Sequence, residues 1–214
     1  MYKTVIFDLD GTLLNTVPDI RAVLNSTLEH FGLKPVTDEQ TKRFIGNGAL
    51  ALVQRASGLE GERLQEVYSH YAEHFAACNN ELSQYYDGEC DVLSRLKDAG
   101  VKLAIVTNKP QRATLNVYKK FFSEFDFFFV QGQEKGVALK PSPDAVLSAI
   151  IKSGNDKREC LFVGDGETDV LTAKNAGIDC ASVLWGYRDK AALQAVGATL
   201  FVDSYRQLER LILI

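Results

Sequence analysis

Cysteine is scarce in this chain, and the little there is forms no pattern. The four cysteines are Cys78, Cys90, Cys160 and Cys180, and no two are spaced C-x-x-C. That spacing gives no zinc ribbon and no redox dithiol. A chain of 214 residues with no visible leader is expected to keep them as free thiols that fill apolar space. An excess of positive charge is also missing. Formal net charge is -4, so a general nucleic-acid footprint is not expected. No apolar run approaches the ~18 residues of a membrane helix. Lys3 leads into a strand-like run rather than an apolar leader core. The expectation is a cytoplasmic protein with no membrane and no nucleic-acid partner. Internal repeats and low-complexity segments are absent as well.

What is present is an ordinary globular composition, 46% hydrophobic, in a length that suits one large domain or a domain with an insertion. Tyr2 to Asp8 reads as a strand and Leu9 to Asn15 as a loop. A helix starts near Thr16, with Pro18 and Asp19 in its first turn, and Gly32 ends it. From Thr37 to about Ser83 only helical patterns occur. Thr37-Asp38-Glu39-Gln40 is a capping-box-like start, and Leu64, Val67, Tyr71 and Phe75 form one stripe. After Tyr86 strands and helices alternate. The expected strands are Val101–Val106, Phe125–Val130, Cys160–Val163, Asp179–Leu184 and Thr199–Val202. Most are short apolar runs, as a parallel sheet covered on both faces requires. The expected fold is therefore α/β: a doubly wound, Rossmann-like parallel sheet with an inserted α-helical cap domain. Residues 1–14 and 85–214 would form the core, and residues 15–84 the cap.

The chemistry gathers at strand ends. Val5-Ile6-Phe7-Asp8-Leu9-Asp10-Gly11-Thr12 closes an apolar run with two carboxylates one residue apart. In extended backbone both would face one space. Two buried carboxylates on one side repel, which raises one pKa or demands a cation. The plain alternative is an Asp-rich turn with Gly11 as its turn residue. Thr107 and Asn108 follow the Val101–Val106 strand. Asp165 follows Cys160–Val163, with Asp169 one helical turn later, and Lys140 lies ahead of the Ser142 helix. In a doubly wound sheet these positions converge. Four carboxylates against one lysine repel phosphate unless a divalent cation joins them. Oxygen ligands without His or Cys suit Mg²⁺.

Four segments carry a resemblance. Asp8-Leu9-Asp10-Gly11-Thr12-Leu13, Thr107-Asn108, Lys140-Pro141 and Gly164-Asp165-Gly166-Glu167-Thr168-Asp169 resemble, in order and spacing, the four motifs of the haloacid dehalogenase-like superfamily, phosphatase branch. The helical insertion is similar to that family's cap. Arg43-Phe44-Ile45-Gly46-Asn47-Gly48 and Trp185-Gly186-Tyr187 are similar to its bacterial phosphoglycolate phosphatase group, in which Gly166 is often Ser or Thr. The resemblance implies Asp8 as nucleophile, Asp10 as acid and then base, and Thr107 and Lys140 as holders of the phosphoryl group. It implies Mg²⁺ held by Asp8, the Asp10 carbonyl and Asp165, with Asp169 binding it directly or through its neighbours. Asn108, Gly46, Asn47, Gly48 and Arg43 would border the substrate, and Lys42 or Arg43 could meet a substrate carboxylate. Asp10 argues against dehalogenation, because a halide leaves without a proton.

Each position has a simpler role. Lys140 could be a surface lysine, Thr107 a helix N-cap, Asp169 a first-turn charge, and Gly46-Asn47-Gly48 a turn. His70 and His74, at i, i+4, lack a third ligand and read as a solvated face. The expected activity is hydrolysis of a small phosphorylated metabolite, 2-phosphoglycolate first. Pyrophosphate or another small ester, a β-phosphoglucomutase-type transfer, and phosphate binding without catalysis are the rivals. The expected assembly is a monomer or homodimer.

Overall fold

The computed structural model describes residues 1–214. Its centre is a six-stranded sheet, every pair parallel, in the order β5-β4-β1-β6-β7-β8. These strands are β1 (Thr4–Phe7), β4 (Lys102–Pro110), β5 (Phe129–Gln133), β6 (Cys160–Gly164), β7 (Asp179–Val183) and β8 (Leu200–Val202). The chain steps outward from β1 to β4 and β5, then returns to β6 on the other side of β1. That reversal brings the carboxyl ends of β4, β1 and β6 side by side, where such sheets bind ligands.

β1 is central because both its faces can be buried. Val5, Ile6 and Phe7 are all 0% exposed. Their burial contributes about 1.5–3 kcal/mol each. Val5 and Phe7 face one core with Leu103, Ile105 and Val163, covered by α5 (Glu89–Asp98) and α10 (Tyr205–Leu213). Ile6 faces the other with Ala104, Val106 and Phe162, covered by α7 (Asp144–Ser153) and α8 (Glu167–Ala176). One buried group in the first core stands out. Glu89 is 0% exposed, its Oε2 accepts from the Tyr86 amide at 3.0 Å, and its Oε1 has no partner. Burial pushes its carboxyl well above the ordinary range.

Between β1 and β4 stand α1 (Val17–His30), α2 (Asp38–Phe44), α3 (Ala49–Ser57) and α4 (Gly61–Ala76). They share a core of their own, including Leu24, Leu28, Val53, Val67 and Tyr71. The capping box at Thr37 is formed: its hydroxyl accepts from Gln40 N, and Gln40 returns a bond to the Thr37 amide. A short ribbon joins the two ends of the helical block. β2 (Leu14–Asn15) pairs antiparallel with β3 (Gln84–Tyr85). Four-residue pairing leaves no periodic signature, so the sequence reads as loop there. No helix is long and apolar enough to cross a membrane.

Two strands differ from the sequence reading by more than two residues at an end. β4 continues four residues past Val106 to Pro110. β5 begins at Phe129 rather than Phe125. Phe125 and Phe127 are buried in the core all the same. An apolar run marks burial, and hydrogen bonding decides which part of it is strand. Ser142 accepts from Asp144 N at 3.4 Å, but the N-cap position of α7 falls on Pro143, whose side chain has no acceptor to cap with.

Candidate active site

The expected carboxylates meet at the ends of β1 and β6. Asp8 and Asp10 are each 9% exposed, Asp165 4% and Asp169 1%. Carboxylate oxygens of Asp8, Asp165 and Asp169 lie within 4.8 Å of one another. Lys140 sits among them, 5% exposed. Its ammonium lies 2.8 Å from Asp8 Oδ1 and 2.7 Å from Asp169 Oδ1. It is therefore no surface lysine, and Asp169 is no mere first-turn charge. Asn108 fixes the lysine's backbone from both sides: its Oδ1 accepts from Lys140 N at 2.8 Å, and its Nδ2 donates to Lys140 O at 3.1 Å and Gly46 O at 2.9 Å.

Each acid is oriented by a different neighbour. Asp165 accepts from the Thr12 hydroxyl at 3.1 Å and from the Tyr187 amide at 2.7 Å. Asp169 Oδ2 accepts from the Gly166 amide at 2.9 Å. Asp10 Oδ1 accepts from the Thr16 hydroxyl at 2.7 Å and from Lys109 Nζ at 2.9 Å. Glycine makes this packing possible. A Cβ on Gly11 or Gly186 would overlap Asp165, and one on Gly164 would overlap Asp169. Gly11 also needs its φ of +88°, which other residues rarely adopt.

The charge balance is unfinished. Burial pushes the Asp8 carboxyl up to about 6, against the pull of Lys140 and with a push from Asp169. Asp165 is pushed up to about 8, by burial first, then by Asp169 and Asp8. Burial alone would lower the Lys140 ammonium, but Asp169 and Asp8 outweigh it and hold it above its ordinary value. One ammonium does not satisfy three carboxylates. Asp8 Oδ1 also lies close to Lys140 without a well-directed hydrogen bond, so it remains an open acceptor. An all-oxygen donor set with an open buried oxygen fits Mg²⁺.

A small cavity of about 40 Å³ opens beside the acids. Asp8, Asp10, Thr107, Asn108 and Lys109 line its floor, and Ile20, Ile45, Leu52, Tyr71 and Phe75 its roof. Gly46 and Gly48 reach it by their backbones. Thr107 is not an N-cap, since β4 runs on to Pro110 before α6 (Gln111–Val117) begins. Arg43 and Asn47 line a second cleft with Arg55, Glu167 and Arg188, which shares Gly46 with the first.

The sequence also matches known proteins. Residues 5–183 match the family model described as haloacid dehalogenase-like hydrolase. The chain belongs to the haloacid dehalogenase-like hydrolase family. It is of the phosphatase type within that family. It is 35% identical over 213 residues to phosphoglycolate phosphatase 1 of Pseudomonas aeruginosa, a match spanning 96% of this chain and 78% of that protein. Phosphoglycolate phosphatase of Mesorhizobium japonicum is 33% identical over 192 residues, spanning 87% of this chain and 84% of that one. A crystal structure from Lactobacillus delbrueckii, provisionally named a phosphoglycolate phosphatase, superposes with TM-score 0.93 at 31% identity. It covers 99% of this chain and 98% of its own. The haloacid dehalogenase-like fold thus explains why acids scattered from Asp8 to Asp169 share one centre.

Three residues at this centre carry no signal as single letters: Thr16, Tyr71 and Lys109. Lys109 was the most accessible of them. In extended backbone it shares a side with Thr107, two residues earlier. That relation holds only because β4 continues past Val106.

Proposed function

We propose that this phosphatase is Mg²⁺-dependent, works through an aspartyl-phosphate on Asp8, and hydrolyses 2-phosphoglycolate to glycolate and phosphate. The observation that carries the mechanism is the pair Asp8 and Asp10. Both line one cavity, Asp8 beside an ammonium and two further acids, Asp10 on a separate set of donors.

A carboxylate oxygen of Asp8 attacks phosphorus, and the bond from phosphorus to the ester oxygen breaks. Asp10 gives its proton to that departing oxygen, which leaves as the glycolate hydroxyl. Water then attacks phosphorus, Asp10 takes its proton, and the bond to Asp8 breaks. Phosphate departs and both carboxylates return to their first state. Lys140 and Thr107 hold the phosphoryl oxygens, and Asn108 keeps Lys140 in place. Asp8, Asp165 and the Asp10 carbonyl would hold Mg²⁺, with Asp169 orienting Lys140 beside it. The cation, when bound, supplies charge neutralisation for the carboxylates and the phosphoryl group. Residues 15–84 act as the cap, whose apolar roof keeps water from the acyl-phosphate.

The substrate reading rests on the relatives' names. The test is phosphate release from 2-phosphoglycolate, pyrophosphate, β-glucose 1-phosphate and nucleotides, with and without Mg²⁺, using Asp8→Asn as blank. Preference for 2-phosphoglycolate, lost with chelator and in Asp8→Asn, is expected. Isomerised sugar phosphate in place of free phosphate would replace the hydrolase with a mutase.

A further inference from the structure

We propose that Lys109 and Tyr71 together receive the carboxylate of the substrate, and so set selectivity for carboxylated phosphate esters. The inference rests on the proposed 2-phosphoglycolate activity and names the residues that would read its second charge.

An ester of this class is anionic at both ends. Lys140 is committed to Asp8 and Asp169 at the phosphoryl end. The carboxylate needs another cation in the same cavity. Lys42 is paired with Glu39 on the surface at 2.8 Å. Arg55 and Arg188 spend their guanidinium groups on backbone carbonyls of the segment Lys42–Ile45 and on Asn47 and Glu167. Lys109 is the cation in the cavity wall. Its side chain is 1% exposed, its Nζ donates to Asp10 Oδ1, and Phe75 lies under it at 4.5 Å. An ammonium has three donors, so bonds to a ligand remain available while that to Asp10 is kept.

Tyr71 is the independent observation. It lines the same cavity and is 0% exposed, and its hydroxyl has no hydrogen-bond partner. A buried hydroxyl with no acceptor is a cost that folding normally avoids. A carboxylate oxygen in the cavity supplies the missing acceptor. The apolar roof raises the strength of both contacts by excluding water. Tyr71 stands on α4 and Lys109 on β4, so one carboxylate would tie the helical block to the sheet.

The experiment compares kcat/KM for 2-phosphoglycolate with that for 2-hydroxyethyl phosphate, which replaces the carboxylate by an uncharged group. Mg²⁺ is present throughout, and melting curves confirm folding. The ratio of the two should fall about 10- to 100-fold in Lys109→Gln, mostly through KM, and about tenfold in Tyr71→Phe. Tyr71→Phe removes only the unpartnered hydroxyl, so its packing and folding are retained. Lys109→Arg should keep most of the ratio. A ratio within twofold of wild type in both variants overturns the proposal. So does an equal loss on the two esters in Lys109→Gln, which would leave Lys109 as a support for Asp10 alone. Wild-type protein with no preference between the esters would overturn the proposed substrate, and this receptor with it.

Discussion

Replacing Lys140 by methionine keeps length and apolar stem and removes one charge from a crowded place. In the wild type the ammonium touches Asp8 Oδ1 at 2.8 Å and Asp169 Oδ1 at 2.7 Å, with only 3% of its side chain exposed. Breaking a buried pair by deleting one partner costs about 3–5 kcal/mol, because the other charge stays behind. Here two partners stay behind, with Asp165 close by. Protonation relieves part of this, since Asp8 and Asp165 are already pushed up to about 6 and about 8. The lower end, about 3 kcal/mol, is therefore expected near neutral pH. For a chain of this size each kcal/mol moves Tm by about 2–4 °C, so Lys140→Met should melt about 6–12 °C lower in chelator. Mg²⁺ should recover more of this loss in the variant than in the wild type, because it binds only the folded cluster. Turnover should fall at least about 100-fold even with Mg²⁺, as when a donor to developing charge is removed. Differential scanning fluorimetry with and without Mg²⁺, and a phosphate-release assay, read both effects. A Tm within about 2 °C of wild type in chelator would refute the reasoning: the lysine would then not be neutralising buried carboxylates.

Two further predictions concern stability and packing. Glu89 has a folded pKa above its unfolded one, so its stabilising protonation is complete below about 4.5 and lost as pH rises through the folded value. Glu89→Gln does not titrate, so its Tm should exceed the wild type's by a margin that grows from pH 6 to pH 9; a constant margin would show that Glu89 is not protonated in the fold. Gly186→Ala places a methyl group where the Asp165 side chain lies, and should cost about 1–3 kcal/mol together with at least tenfold in Mg²⁺ affinity. Calorimetric titration of Mg²⁺ checks this, and wild-type affinity would mean that Asp165 is not a ligand.

Much of this site was legible because its residues sit where sequence signals are strongest. Asp8, Thr107 and Asp165 each follow an apolar run, and the doubly wound alternation fixes where such ends meet. The capping box at Thr37 was legible for a similar reason, since four consecutive residues complete it. What was hidden depends on direction. Arg43 was expected toward substrate; it lies in the last turn of α2 and lines a second cleft with Arg55 and Arg188. A helix pattern gives the buried stripe but not which neighbour a half-exposed residue meets. The β2–β3 ribbon is too short to leave a period. Tyr71 was correctly placed on an apolar stripe, yet only its unpartnered hydroxyl at a cavity wall distinguishes it from Val67 beside it. The histidines show the same limit. His30, distant in sequence, stacks on His70 at 4.3 Å, and His70 on His74 at 4.1 Å, a ring stack that spacing alone did not suggest.

The central claim is a covalent phosphoryl group on Asp8. The direct measurement is acid quenching during turnover of 2-phosphoglycolate with Mg²⁺, followed by mass spectrometry of the protein and its peptides. The account predicts a gain of one phosphoryl group on the peptide that holds Asp8, removed by hydroxylamine and absent in Asp8→Asn. Steady phosphate release with no modified peptide, or a modified peptide in Asp8→Asn, would contradict it.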